Sequence, residues 1–171
     1  MDVEYRGANC VVIRDKKILI VVDPTANVSV KEAKNLDAVI LATQEKFAPV
    51  REDKGDDRER NRPFVIDMPG EYEHNDVSVL GLPVHAHIDK DGKSATMYRI
   101  ETDGVSLAVI GHTDAPLNDD DLESLGMVDI VIVPVGGGYT LDARDAATIG
   151  ELCGEALRRH AVCQRPGSGD G

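Results

Sequence analysis

The sequence predicts an α/β or α+β sandwich, in which helices flank β-sheets. Apolar, β-branched hairpins occupy the first part of the chain. Residues 37–43, DAVILAT, form an almost uninterrupted apolar run, which is typical of a strand covered on both faces. Strand–helix units occupy the last third. Hairpins followed by strand–helix units favour helices packed against sheets.

The first hairpin is predicted over residues 10–24, CVVIRDKKILIVVDP. Two apolar runs flank the polar turn RDKK, and Asp23 with Pro24 ends the second strand. A short helix is expected next, because Ser29 and Glu32 have the spacing of a capping box. The strand at 37–43 follows this helix.

The middle of the chain alternates a charged loop with short strands. Residues 51–63, REDKGDDRERNRP, lack apolar periodicity and predict a solvated loop; an ion-recognition loop is the alternative, although the charges largely cancel. Residues 62–89 and 93–112 have an antiparallel character, with turn signals at PGE, HND, DKDGK and ETDG.

Two helices are predicted in the last third. The first runs over 117–126, with Asn118 or Asp119 as N-cap and Gly126 at its end. The second follows Asp142 and shows an apolar face at Ala146, Ile149, Cys153 and Leu157. We therefore predict one domain over residues 1–160 and a flexible polar tail, AVCQRPGSGDG, over 161–171.

Length, charge and cysteine content narrow the class of protein. The chain of 171 residues suits one domain, and its net charge of −12 argues against a nucleic-acid partner. No apolar run approaches the ~20 residues that span a bilayer, and the N-terminus lacks a signal-peptide pattern, so we expect a cytoplasmic protein. Three cysteines without metal-like spacing favour a reducing compartment.

Five stretches between residue 1 and about residue 147 carry a family resemblance. They read MDVEYRGANCVVI, VVDP, VIDMPGEYEHNDVSVLGLPVHAHID, TMYRIETDGVSLAVIGH and VDIVIVPVGGGYTLDARDAA. PGEYE and PVGGGYTLDA are the most specific, because a strand–turn–helix pattern alone would not dictate them. The chain resembles the small metallo-β-lactamase-fold hydrolases of the zinc-dependent branch. This resemblance implies a four-layer αββα sandwich with a metal site at one edge of the inner sheets.

The metal-ligand motif of that family is not matched in this sequence. In the family, the strand that resembles DAVILAT ends in Thr-His-x-His-x-Asp-His, whose imidazole and carboxylate groups bind zinc. The threonine is Thr43 here, and the ligand positions fall on Gln44, Lys46, Ala48 and Pro49. None of these four is a plausible zinc ligand. The resemblance therefore implies the scaffold of the site without its main ligands.

Three histidines could form a reduced metal site. The resemblance places His85 or His87 at one ligand position and His112 at the position of an acidic ligand. In an extended segment His85 and His87 share one face. Together with His112, and with Asp114 or Asp23, they could hold a zinc with an open position. The alternative is that each histidine is a hydrogen-bonded residue at a strand end.

Two further features follow from the resemblance. A fixed ammonium at Lys46 could replace part of the metal charge and hold an anionic ligand or pair with Asp23, whereas the alternative is a solvated lysine at a loop tip. The family also supplies a histidine from a strand after the last helix. No strand signal follows the last helix in this chain, so we predict that this C-terminal strand is missing.

Three functions are consistent with the sequence. The first is a metal-dependent hydrolase that acts on a phosphoester, ester or amide through His85, His87 and His112, with metal binding weakened or lost. The second is a non-catalytic binding or assembly module on the same fold. The third is a small-molecule or nucleotide-binding α/β domain, suggested by the glycines of PVGGGYT, which lack the spacing of a P-loop or dinucleotide motif.

Overall fold

The structure is a computed structural model, and it describes residues 1–7, 9–15, 18–25, 37–49, 63–84, 95–113, 117–135, 141–152 and 161–163. These residues form two mixed β-sheets that share one apolar core, and two helices pack on the outer face of the second sheet. The helix predicted after Ser29 and most of the charged loop at 51–63 lie outside the described residues.

The first sheet has five strands in chain order. They are β1 (Asp2–Gly7), β2 (Cys10–Asp15), β3 (Ile18–Val22), β4 (Asp37–Leu41) and β5 (Phe64–Ile66). The β2–β3 hairpin is antiparallel, as predicted, and β4 pairs in parallel with both β3 and β5. The continuous apolar run of β4 therefore belongs to a strand with neighbours on both sides.

The second sheet contains β6 (Gly70–His74), β7 (Val77–Val84), β8 (Ala95–Thr102), β9 (Val105–Val109), β10 (Ile130–Val133) and β11 (Ala161–Cys163). Its order is β11-β10-β9-β8-β7-β6. Strands β6 to β9 form the predicted antiparallel series. Strand β10 is parallel to β9.

Two details of the strands differ from the sequence-based expectation. Strand β5 belongs to the parallel part of the first sheet, because its neighbour is β4 and not the next hairpin. Strand β11 pairs in parallel with β10, so the prediction that no strand follows the last helix is wrong. Three residues are too few to give a periodic pattern, and pairing with β10 selects the extended conformation. Strand β11 occupies the first residues of the expected tail.

The two helices begin at the predicted caps. In helix α1 (Asp119–Leu125), Asn118 accepts a hydrogen bond from the Asp121 N–H, and Asp121 accepts one from the Asn118 N–H, which completes a capping box. Helix α2 (Ala143–Leu152) begins after Asp142, whose Oδ1 accepts two backbone N–H groups. In the described part of the chain, neither helix is long and apolar enough to cross a membrane.

Alternating side chains place the core on both faces of the first sheet. Along β2 and β3, one set faces the second sheet and the other set is buried on the outer face. The inner set includes Val11, Ile13, Ile20 and Val22; the outer set includes Cys10, Val12, Leu19 and Val21. The period of two in a strand produces this division. Both faces of the sheet are therefore covered, as a layered sandwich requires.

Hydrogen bonds join the two sheets at the carboxyl end of β4. The Thr96 N–H in β8 donates to the Thr43 carbonyl at 2.8 Å, and the Tyr98 hydroxyl donates to the Ala42 carbonyl at 2.7 Å. Tyr98 is completely buried, and its hydroxyl group is therefore satisfied in the core. These bonds fix the position of the segment that follows β4 relative to the second sheet.

Gly111 allows the segment after β9 to approach Thr43 closely. Its φ is +73°, and a Cβ at this position would lie 2.9 Å from the Thr43 Cβ. We predict that Gly111→Ala lowers the free energy of unfolding by about 3 kcal/mol, because a left-handed backbone cost adds to the steric overlap. Chemical denaturation monitored by circular dichroism measures this loss.

Gly104 provides a matched control. Its φ is +74°, but a Cβ there would meet no atom within 4 Å. Gly104→Ala should cost only about 1 kcal/mol, from the backbone conformation alone. Equal losses in the two variants would show that the contact between Gly111 and Thr43 is not important.

Candidate functional site

Polar side chains meet where strands β3, β4 and β9 end. Asp23 follows β3, Thr43 follows β4 after one residue, and His112 follows β9. Asn9, from the turn before β2, contacts both Asp23 and His112. Because β3 and β4 are parallel, their carboxyl ends lie at the same edge of the sheet. We call Asn9, Asp23, Thr43 and His112 the strand-end cluster.

Asp23 is the buried centre of this cluster, with 1% of its surface exposed. Its Oδ1 accepts the Thr43 backbone N–H at 2.7 Å, and its Oδ2 accepts the Thr43 hydroxyl at 2.6 Å. The Asn9 amide also donates to Oδ2. The backbone of Asp23 has a φ of +42°, and its N–H donates to the Leu41 carbonyl at 2.9 Å. The carboxylate therefore holds β4 and the segment after it in place.

His112 lies against this network from the second sheet. Its Nδ1 is 3.4 Å from the Asn9 amide nitrogen, 3.4 Å from the Thr43 hydroxyl and 3.7 Å from Asp23 Oδ2. Its ring stacks on Phe47, with centroids 4.8 Å apart. The Asn9 amide has two hydrogens, so it can donate to Asp23 and to Nδ1 together. In that tautomer Nδ1 accepts and the imidazole proton is on Nε2; in the other, Nδ1–H donates to the Thr43 hydroxyl oxygen.

Burial makes the charged form of Asp23 unfavourable. Desolvation raises its pKa from 3.8 to about 6, against the opposing effects of the Thr43 and Asn9 hydrogen bonds and of the positive charge of Lys46. The carboxyl group therefore changes protonation state within the physiological range of pH.

The imidazole of His112 is neutral near pH 7. Desolvation and the positive charge of Lys46 lower its pKa from 6.5 to about 4. The short approach of His112 to Asp23 is therefore a contact between a neutral ring and a carboxyl group, and not an ion pair. Above pH 6 the negative charge of the cluster is on Asp23.

A 3-10 turn, Glu45–Phe47, begins two residues after Thr43 and carries Lys46. The Lys46 ammonium is exposed and lies 5.2 Å from the centroid of the Phe47 ring. Gln44 precedes the turn with 4% of its surface exposed. Neither amide atom of Gln44 has a hydrogen-bond partner among the residues that the structure describes.

The structure describes some of the predicted site residues and not others. The structure brings Asp23 and His112 together and places the charge of Lys46 where it acts on both. His85 and His87, like Asp114, lie outside the described residues, so the three-histidine metal set stays a prediction.

Sequence reasoning missed Asn9 and Phe47. Asn9 lies in a turn more than 100 positions from His112, and Phe47 lies between Lys46 and Ala48, two ligand positions of the family motif. The position of Asn9, a polar residue directly before the apolar strand β2, was the one signal in the sequence. Its partners, Asp23 and His112, could not be predicted, because they come together only when the two sheets pack.

The strand-end cluster does not fit the metal ion that the resemblance implies. Asp23 is buried, and both of its oxygens accept hydrogen bonds from the chain itself. A zinc site needs three or four donor side chains. Within the described ranges no group of three His, Cys, Asp or Glu residues is placed to hold a metal. The positive charge of Lys46 also lowers the pKa of both Asp23 and His112, and such a charge disfavours a dication beside them.

The charge of Lys46 is testable through His112. We predict that Lys46→Met raises the pKa of His112 from about 4 toward, but not to, 6.5, because burial still disfavours the imidazolium. An NMR titration of the imidazole Cε1–H signal measures this pKa. Lys46→Arg keeps the charge and should leave the pKa low. A midpoint that is unaffected by Lys46→Met would contradict the assigned role of this charge.

Asp23 and His112 should have opposite effects on stability as pH changes. Between pH 3.8 and about 6, unfolded Asp23 loses its proton while folded Asp23 keeps it, so its contribution to stability falls as pH rises. Between about pH 4 and 6.5, unfolded His112 is protonated while folded His112 is neutral, so its contribution rises. Each change amounts to about 3 kcal/mol.

Two variants separate these contributions. Relative to the parent, the stability of Asp23→Asn should rise between pH 4 and 6, and that of His112→Phe should fall over about the same range. Urea denaturation at a series of pH values gives both slopes, and a constant loss from altered packing does not change their signs. Slopes of the same sign in the two variants would refute the assigned pKa directions.

Solved structures of three proteins are similar to this chain. A proposed Zn-dependent hydrolase of the metallo-β-lactamase superfamily from Thermotoga maritima aligns with a TM-score of 0.66 and 24% identity, over 88% of this chain and 70% of the other. Igni18, a metallo hydrolase from Ignicoccus hospitalis, aligns with a TM-score of 0.61 and 19% identity, over 88% of this chain and 77% of the other. Zn²⁺-bound PqqB from Methylobacterium extorquens aligns with a TM-score of 0.50 and 10% identity, over 78% of this chain and 59% of the other.

These similarities confirm the predicted metallo-β-lactamase-type sandwich. At such identities they show a shared fold and leave the chemistry to the individual side chains. No curated protein sequence matches this chain. A family model described as the β-lactamase superfamily domain matches residues 2–152, which is most of the sequence. The chain therefore belongs to the family described as the β-lactamase superfamily domain, and it has the metallo-β-lactamase fold.

Proposed function

We propose that this protein is a metallo-β-lactamase-fold, hydrolase-like protein in which zinc binding is weakened or lost. The observation that carries the proposal is the presence of Lys46 at a histidine position of the family motif. Its positive charge acts on both Asp23 and His112, the two described cluster residues that the resemblance links to the metal site. A positive charge at this position of the motif disfavours the binding of a dication.

The bonding of Asp23 supports the same proposal. A carboxylate that binds zinc presents a lone pair to the ion. Asp23 instead accepts hydrogen bonds from the Thr43 N–H, the Thr43 hydroxyl and the Asn9 amide. Three of its about four lone-pair sites therefore bind donors of the chain itself, and these bonds hold the segment after β4 in position.

A non-catalytic binding module on the same fold is the second candidate. It is favoured by the hydrogen bonds within the cluster, in which Asn9 and Thr43 donate to the carboxylate of Asp23. A small-molecule ligand and a cytoplasmic location belong to both candidates. The net charge of −12 supports the absence of a nucleic-acid partner in either case.

Zinc binding tests the proposal directly. We predict that the purified parent, after dialysis against metal-free buffer and titration with zinc, binds the ion weakly. The double variant Gln44→His with Lys46→His, which restores two histidines of the family pattern and removes the ammonium, should bind zinc at least about tenfold more tightly. Isothermal titration calorimetry and elemental analysis measure the affinity and the stoichiometry.

Glu45→His is the matched control, because it adds a histidine to the same turn outside the family pattern. It should leave zinc binding at the level of the parent. A parent protein that retains one or more zinc ions per chain through dialysis would contradict the proposal, as would equal affinities in the parent and the double variant.

A further inference from the structure

The side-chain amide of Gln44 is buried and unsatisfied in its hydrogen bonding. Its side chain is 4% exposed, and neither Nε2 nor Oε1 has a partner among the described residues. A buried amide without partners destabilises a protein, so such a group is usually explained by a bound ligand or water. Gln44 directly follows Thr43 of the strand-end cluster and directly precedes the turn that carries Lys46.

The charges around Gln44 favour an anion. The exposed Lys46 ammonium lowers the pKa of both Asp23 and His112, so its positive charge reaches the cluster from the surface. Three hydrogen bonds from Thr43 and Asn9 stabilise the negative charge of Asp23 within the cluster. The net charge of −12 is spread over the surface, and salt screens such charges beyond ~10 Å at 0.1 M.

We propose that Gln44 and Lys46 bind a small oxyanion that carries an acidic hydroxyl group, of the phosphate class, without a metal ion. The Lys46 ammonium and the Gln44 amide N–H would donate to the charged oxygens, and the P–OH group would donate to Gln44 Oε1. Phosphate at neutral pH keeps at least one P–OH proton, whereas sulfate keeps none. Gln44 therefore distinguishes the two anions, because only phosphate satisfies its acceptor.

This inference rests on the proposed function, since it assigns a ligand to a site where zinc is weakened or lost. The two can nevertheless fail separately. Zinc content is measured on the same chelator-treated sample that is used for anion binding. Phosphate binding that requires added zinc overturns both, whereas a zinc-free protein that binds no phosphate overturns only the present inference.

The experiment compares three anions by isothermal titration calorimetry of the full chain near 0.15 M salt. Inorganic phosphate should bind about tenfold more tightly than sulfate. Methyl phosphate keeps its P–OH group only as the monoanion, so it is compared at about pH 5, below its second pKa of ~6, where it reports on the source of the ligand. Binding of methyl phosphate as tight as that of phosphate indicates a phosphate ester, and binding of inorganic phosphate alone indicates the free ion; either result supports the shared chemistry.

Variants assign the binding to the two side chains. Lys46→Met should weaken phosphate and sulfate alike by about tenfold, and Lys46→Arg should retain binding. Gln44→Met should remove the preference for phosphate over sulfate. It should also raise the thermal stability of the ligand-free protein, because an unsatisfied amide is replaced by an apolar side chain of similar size.

Glu45→Gln is the control on the same turn, since it removes an exposed negative charge. It should leave phosphate binding unchanged or slightly stronger. The inference is overturned by equal affinity for phosphate and sulfate, by failure to bind either anion at millimolar concentration, or by binding that neither Gln44→Met nor Lys46→Met affects.

Discussion

The buried carboxylate of Asp23 is the constraint on which this edge of the molecule depends. It accepts the backbone N–H and the hydroxyl of Thr43, and so it fixes the chain immediately after β4. The Thr43 carbonyl in turn accepts the Thr96 N–H of the other sheet. Burying a carboxylate is unfavourable unless donors surround it, and Asn9 supplies the remaining one. One side chain thus links β3, β4 and, through Thr43, the second sheet.

This constraint also decides which chemistry the edge can support. The donors that make a buried Asp23 tolerable take three of the about four lone-pair sites of its carboxylate. The same burial, together with the charge of Lys46, keeps His112 neutral. A neutral imidazole, a committed carboxylate and a nearby ammonium form a polar site of mixed character. Its fold is that of the β-lactamase superfamily, whereas its chemistry depends on these individual side chains.

Local signals explain which parts of the fold could be predicted. The β2–β3 hairpin, the apolar strand β4 and the caps at Asn118 and Asp142 depend on residues within a few positions of one another. The partners of β5 and the existence of β11 depend on strands far away in the chain. Strand patterns record which face is buried, but they do not record which strand is the neighbour.

The sequence by itself determined the class of fold, the family resemblance and the loss of the histidine motif after Thr43, because each is a property of residue order. Tertiary structure decided that Asp23 and His112 meet, that Asn9 completes their network, and that the Gln44 amide is buried. The reason is physical. Protonation and hydrogen bonding depend on desolvation and on distances of a few ångströms, and residues 9, 23, 43 and 112 come that close only when the two sheets pack.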